Sequence, residues 1–495
     1  MSAPLTPEQA WQPLPATSWD SAAARHLLRR AGWAARPDDV ARAFADGLPA
    51  TLNRLFPETP PSFPRPVFMV KAETRLTELR PKKRAANTPE ERQIIDREER
   101  ELERLASVEF SLKWLQAAAD PERSAYEKWV LFLADVYVVA FEKVRRADYH
   151  YIHRDLLRTL GAGPATELTK AISRSPAMID YLDLSRNSRR APNENFAREL
   201  LELFVLGEGH YAEGDIKQAA RAFAGYRIGK NGYRLDARSA DTGPKTVFGQ
   251  TGPWTGDEVI DLAYAQPAAA TFLPREMARF YLTDSPPPSE FFAPLGAAWR
   301  ASGFALRKLC HAFFGSTVFY HPDYQANYIK SPVHYLLGLV QDLRLDLTPL
   351  PRSTLQPLRQ MGQNLLEPPN VRGWVGGRLW INSSTLAARR QFAKTLCNPL
   401  DEGTLNADER LELTAARDAG RFRFSVDEDR IHDLASLGPR GVADRLCDFF
   451  LPVAVTPAYR ATVVDYLDSG PKEEFEDRVR RATIALLQSP EYQLC

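Results

Sequence analysis

The stretch Pro192-Asn193-Glu194-Asn195-Phe196-Ala197-Arg198-Glu199-Leu200-Leu201-Glu202-Leu203-Phe204-Val205-Leu206-Gly207 is apolar almost all round, with one narrow polar stripe. It reads as a helix near the centre of a mainly helical protein. Asn193, after Pro192, suits the N-cap. Asn195, Arg198, Glu199 and Glu202 then stand at i, i+3, i+4 and i+7, which places them on one face. Two readings of that face stay open. In one, Arg198 and Glu202 form an ordinary i,i+4 pair on an exposed strip. In the other, the stripe lines a cleft where Glu199 and Glu202 serve as acid and base or as metal ligands, with Arg198 as counter-ion.

Helical periodicity extends outward from this segment over most of the 495 residues. The fold class expected is mainly α: a large multi-helix globular core with a small β-hairpin near 226–235. Residues 1–18 read as an irregular Pro-rich arm, 19–395 as the helical core, and 396–495 as a C-terminal helical segment packed on it. Ser21 to Ala31 is a helix with cations at its end and Gly32 as the left-handed residue beyond it. Pro37 opens a short helix closed by Gly47. Further helices are predicted at roughly 123–145, 149–160, 164–174, 193–206 and 213–225. Tyr226 to Leu235 alternates around Asn231-Gly232, a strong hairpin signal. Residues from there to Gly256 read as a Gly-rich loop, and the tail as a strand at Arg421–Ser425 with three helices. A charged helical hairpin occupies about 75–118. Its second helix starts at Thr88-Pro89-Glu90-Glu91, a good cap with proline at the first position. Such a helix is a solvated face or a partner-binding arm.

Hydrophobic content of 44% and charged content of 26% are ordinary for a globular protein, and the net charge is +1. No global field attracts nucleic acid, so no nucleic-acid partner is expected. The apolar run Trp129–Phe141 is broken by Asp135 and is too short to span a bilayer. With no basic n-region at the start and four scattered cysteines, the chain is expected in the cytoplasm.

Other polar residues could carry chemistry. His150 and His153 lie one helical turn apart, a spacing that can share a metal. His210 could complete a Glu/His set with Glu199 or Glu202 around a divalent ion. Gly373-Trp374-Val375-Gly376-Gly377-Arg378-Leu379-Trp380-Ile381-Asn382-Ser383-Ser384 is a tight loop before a helix capped by Ser383 or Ser384. Trp374 and Trp380 are core anchors or the wall of a ligand site with Asn382 and Arg389 as its polar groups. No P-loop, dinucleotide fingerprint, nucleophile elbow or zincin motif is present.

Several blocks together resemble the bacterial family catalogued as domain of unknown function 1800. They are Arg25–Trp33, Ser175–Asp183, the Pro192–Gly207 helix with Asp215–Gly225, Lys245–Gly252, Ile329–Tyr335, Met361–Trp374 and Ser489–Cys495. The family has no assigned activity. The resemblance implies a neighbouring sulfatase-like protein as pathway partner. Many members carry His-Asp where this chain has Ala240-Asp241, and Gly-Trp-Pro-Gly-Gly where it has Val375. The resemblance moves the polar stripe toward a cleft.

Two functions follow. One is an enzyme, hydrolytic or metal-assisted, with Glu199, Glu202 and Arg198 catalytic and Asn195, Arg29, Trp374, Trp380, Asn382 and Arg389 binding substrate. The other is a non-catalytic scaffold for the sulfatase-like protein, with the charged hairpin as its arm.

Overall fold

Helix formers dominate the sequence, and the structure follows them. A computed structural model, which describes residues 5–230, 232–374 and 376–495, contains 24 α-helices and two antiparallel two-stranded sheets among those residues. The protein is mainly α with a small hairpin. No helix among the described residues is long and apolar enough to cross a membrane.

The core divides into two large apolar clusters. One gathers Leu27, Trp129, Leu200, Phe204, Met277 and Phe314. The other gathers Trp33, Phe110, Trp114, Val333, Leu336, Leu446 and Tyr492. The Ser124–Val136 helix joins them, with Trp129 and Phe132 in the first and Leu131 in the second. The charged hairpin consists of helices Val67–Ala85 and Pro89–Ala118. Thr88 caps the second as expected, and Glu91 returns the contact to complete a capping box. Arg75–Glu98 and Lys83–Glu99 pairs lace the two helices, while Phe110 and Trp114 bury the far end of the second.

Several local expectations change. The helix expected over 123–145 stops at Val136, where Val136-Tyr137-Val138-Val139 is a run of poor helix formers. The released carbonyls are satisfied from the Ala147–Leu160 helix. His150 Nε2 donates to Val144 O at 2.9 Å and His153 Nε2 to Tyr137 O at 2.8 Å. Burial pushes the two imidazoles down to about 4 and about 3, so both are neutral donors. The i, i+3 histidine pair therefore fastens a loop.

Gly32 has φ −102°, so it is not a left-handed cap. Glycine is needed there for close approach instead. A Cβ would lie 2.8 Å from Leu28 O and 2.9 Å from Ser124 Oγ. Arg421–Ser425 forms no strand; the Asp346 carboxylate accepts the Phe422 and Arg423 N–H groups. The tail beyond residue 400 has five α-helices rather than three. The hairpin at 226–235 pairs Tyr226–Gly229 with Gly232–Leu235. Asn231 lies outside the described residues. A second small hairpin, Lys245–Val247 with Gln250–Gly252, falls in the expected Gly-rich loop.

The decisive segment changes most. Its helix starts at Asn195 after Glu194, and Asn193 Oδ1 accepts the Asn195 N–H instead of capping. After Glu199 the winding loosens into a π-helix, Leu200–Val205. The Leu206 N–H reaches back five residues to Leu201 O at 3.0 Å. Such π turns recur at functional sites. The wider turn breaks the i, i+4 alignment on which the single stripe depends.

Candidate functional site

A cleft of about 430 Å³ opens where the π turn, the Ser124–Val136 helix, the Ala269–Tyr281 helix and the 371–380 loop meet. The Ser124–Val136 helix contributes Lys128, Phe132 and Asp135, spaced i, i+4 and i+7 along one face. Arg30, Tyr328 and His334 complete the deep end. Phe272, Phe280, Trp374 and Trp380 give it apolar walls, and Glu202, Glu208, His210 and Arg372 lie toward the exposed rim.

Asp135 is the most perturbed acid in the cleft. Its Oδ1 accepts the Trp374 N–H at 2.8 Å. Gly373 makes that contact possible. At φ +80°, a Cβ on it would lie 2.1 Å from the same oxygen. Burial raises the Asp135 carboxyl to about 7, against the lowering effect of the Trp374 hydrogen bond; Glu276 raises it further and Arg279 lowers it. Its Oδ2 makes no hydrogen bond or ion pair with any described residue. The group is thus a carboxyl poised near neutrality, with one oxygen anchored and the other unclaimed.

Lys128 sits at the end of the Ser21–Ala31 helix, where carbonyls lack helical partners. Its Nζ donates to Arg30 O at 2.9 Å, Gly32 O at 2.8 Å and His334 Nδ1 at 3.2 Å. His334 Nε2 meets Trp33 O at 3.0 Å, so the ring proton belongs on Nε2 and Nδ1 is the acceptor. Burial and the adjacent cations Lys128, Lys330 and Arg30 hold His334 neutral. Burial lowers Lys128 to about 7. Arg30 is spread over the Tyr281, Leu282, Tyr324 and Cys495 carbonyls and Asn327 Oδ1. These groups make a rigid, cationic floor.

At the rim, Tyr211 donates to Glu202 at 2.6 Å, and Arg372 bridges Glu202 at 2.8 Å and Glu208 at 2.5 Å. Arg275 reaches only a carbonyl, Pro287 O, and has no carboxylate partner among the described residues.

Of the residues singled out in the sequence, Glu202, Trp374, Trp380 and His210 line this cleft. The remainder of the stripe does not. Arg198 pairs with Glu213 at 2.5 Å and with Glu194 at 3.3 Å, so the Arg198–Glu202 pair of the exposed-strip reading is not made. Asn195 is exposed, and Glu199 is half-buried with its carboxyl raised, by burial first and by Glu202 second. Asn382, rather than Ser383 or Ser384, caps the Ser383–Leu396 helix, accepting from Thr385 N. Arg389 is fully buried, donating to Lys330 O and Gln493 and lying 5.1 Å from the Tyr335 ring centre. Arg29 is buried and donates to Phe449 O. Among the described residues no group of three or more His, Cys, Asp or Glu side chains is placed to hold a metal, so Glu199, Glu202 and His210 do not form one.

Sequence reading missed Asp135, Lys128 and His334 as site residues. The visible signal was Lys128 and Asp135, charged positions in a largely apolar helix that also carries Glu127.

A family model described as "Protein of unknown function (DUF1800)" matches residues 26–494. No curated protein and no solved structure matched the chain.

Proposed function

The chain belongs to the DUF1800 family, and we propose that it is an enzyme performing acid–base chemistry on a small, negatively charged polar substrate held in this cleft. The observation that carries the reading is Asp135. A carboxyl near 7, with one oxygen fixed to a backbone N–H and the other unclaimed, suits a group that gives or takes a proton at neutral pH. Arg275, without a carboxylate partner, would hold the substrate's anionic group, and Trp374 and Phe132 its apolar part. Glu202, tied to Tyr211 and Arg372, would position the substrate's outer end. Hydrolysis of an ester is the reaction class favoured: water adds at the acyl, phosphoryl or sulfuryl centre, the bond to the leaving oxygen breaks, and Asp135 protonates that departing oxygen.

The test is a screen of chromogenic carboxylate, phosphate and sulfate esters against the wild type and Asp135→Asn. Turnover should depend on a group titrating near pH 7 and should fall on the order of a hundredfold in the variant. Equal turnover by the two proteins would remove Asp135 from the chemistry.

The second reading is the scaffold for a sulfatase-like partner. It is supported by the charged hairpin, which leaves Val67, Val70 and Ile94 exposed. Co-purification that disappears when the outer part of the hairpin is deleted would favour it. The four cysteines are buried and free, which fits a reducing compartment such as the cytoplasm.

A further inference from the structure

The net charge of +1 hides two strongly charged surfaces of opposite sign. Residues 184–190 and 226–239 carry seven cations and one carboxylate, Asp236. The fold brings these segments together. Arg189 N–H donates to Ser239 O at 2.8 Å, Gly225 N–H to Asn187 O at 3.2 Å, and Arg227 to Asn187 O at 3.0 Å. Arg227 and Arg234 stand directly opposite each other across the hairpin, an unfavourable arrangement for like charges. Arg189, Arg190, Arg234 and Arg238 are exposed, and none is in an ion pair with a described residue.

Residues 461–477 are the opposite case, with six carboxylates and one cation, Lys472. Arg478 folds this stretch back by donating to Leu467 O and Pro471 O. Glu476 is held by His432 and Asp477 by Arg481. Asp465, Asp468, Glu473 and Glu474 are exposed with no ion-pair partner among the described residues. Tyr466, 40% exposed, stands between the first two and offers a ring against which a guanidinium can stack.

No ion pair among the described residues joins the two surfaces within one copy. We propose that they join between copies: the arginine surface of one chain docks on the 461–477 acidic surface of a second, in a head-to-tail contact. Four free guanidiniums face a matching number of free carboxylates, and arginine's planar fork suits bidentate contact with them. A head-to-tail contact of this kind is heterologous and builds rings or filaments. Among the described residues of the basic surface no aromatic ring is fully exposed (Tyr226 is buried and Tyr233 half-buried), which favours a carboxylate partner over single-stranded nucleic acid.

The test is sedimentation velocity of the full chain over a concentration series. At low ionic strength the mean sedimentation coefficient should rise with concentration. In about 1 M salt, where the screening length is about 3 Å, the association should weaken at least about tenfold. This arm needs no variant. Arg189→Glu/Arg190→Glu/Arg234→Glu and Glu473→Arg/Glu474→Arg should each abolish self-association, and mixing the two proteins should restore it. A monomer at every concentration in low salt overturns the proposal, as does association unaffected by salt. Failure of the mixture to reassociate, with both variants folded by circular dichroism, also overturns it. Loss of self-association upon adding duplex DNA that binds the wild type but not the arginine variant supports it. DNA binding without any self-association reassigns the basic surface to nucleic acid and overturns it.

Discussion

Glu127 and Asp135 lie eight residues apart on the same helix, Glu127 fully buried and Asp135 half-buried at the cleft. Their surroundings differ completely. Glu127 Oε1 accepts from Arg123 at 3.1 Å and Arg158 at 3.3 Å; Oε2 accepts from Arg158 at 2.5 Å and Trp114 at 2.9 Å. Every acceptor position that matters is filled, and the group ties the Pro89–Ala118, Ser124–Val136 and Ala147–Leu160 helices together. Asp135 has one anchored oxygen and one without a partner, and it borders a cleft. Burial of an acid therefore does not mark a site. An unclaimed oxygen beside open space does, because only that oxygen can exchange a proton with something that enters.

The contrast can be broken by substitution. Glu127→Ala strands the Arg158 guanidinium in the core, so it should cost about 3–5 kcal/mol in urea unfolding. Asp135→Asn keeps the acceptor for Trp374 N–H and should cost less than about 1 kcal/mol at pH 7. Equal costs for the two would erase the distinction. Gly373→Ala comes next. It needs φ +80° with a Cβ inside contact distance of Asp135, so about 2–3 kcal/mol should be lost, with a changed Trp374 fluorescence as the loop lifts.

The pH dependence sharpens the same comparison. Asp135 is raised from 3.8 to about 7, so the folded state holds its proton more tightly than the unfolded state. The resulting stability is fully present below about pH 4 and is lost as pH rises through 7. Relative to Asp135→Asn, the wild type should lose on the order of 2 kcal/mol between pH 4 and pH 7, an amount reduced by the group's contact with the cleft. Parallel stability curves for the two proteins would show that the carboxyl is not perturbed. The smallest effect is expected at the rim. Arg372 is 57% exposed, so Arg372→Ala should change stability by less than about 1 kcal/mol despite its two ion pairs.

Fold class was legible because helical periodicity is a local property. Capping at Thr88, the turn at Gly47 and the 226–235 hairpin were legible for the same reason: each depends on a few neighbouring residues. The helix over 123–145 failed at Val136 because its end depends on His150 and His153, which supply donors from another helix. The candidate site was legible only in part. Glu202, Trp374, Trp380 and His210 were named from the sequence and do border the cleft. Arg29, Arg389 and Asn382 looked equally suitable, yet their partners are backbone carbonyls and a helix end.

The sequence by itself determined a family, a helical architecture, and one apolar segment bearing Asn195, Arg198, Glu199 and Glu202. Hydrophobic pattern, caps and turn residues act over a few positions and need no knowledge of distant chain. Tertiary structure decided which of those four faces a cleft. With the winding opened at Leu200–Val205, Glu202 lies at the cleft rim with Arg372 and Tyr211, while Arg198 pairs with Glu213. It also decided that Asp135, an interruption in an apolar run, is the perturbed acid. That depends on Gly373 and Trp374, more than 230 residues away, whose backbone anchors one carboxylate oxygen and leaves the other without a partner.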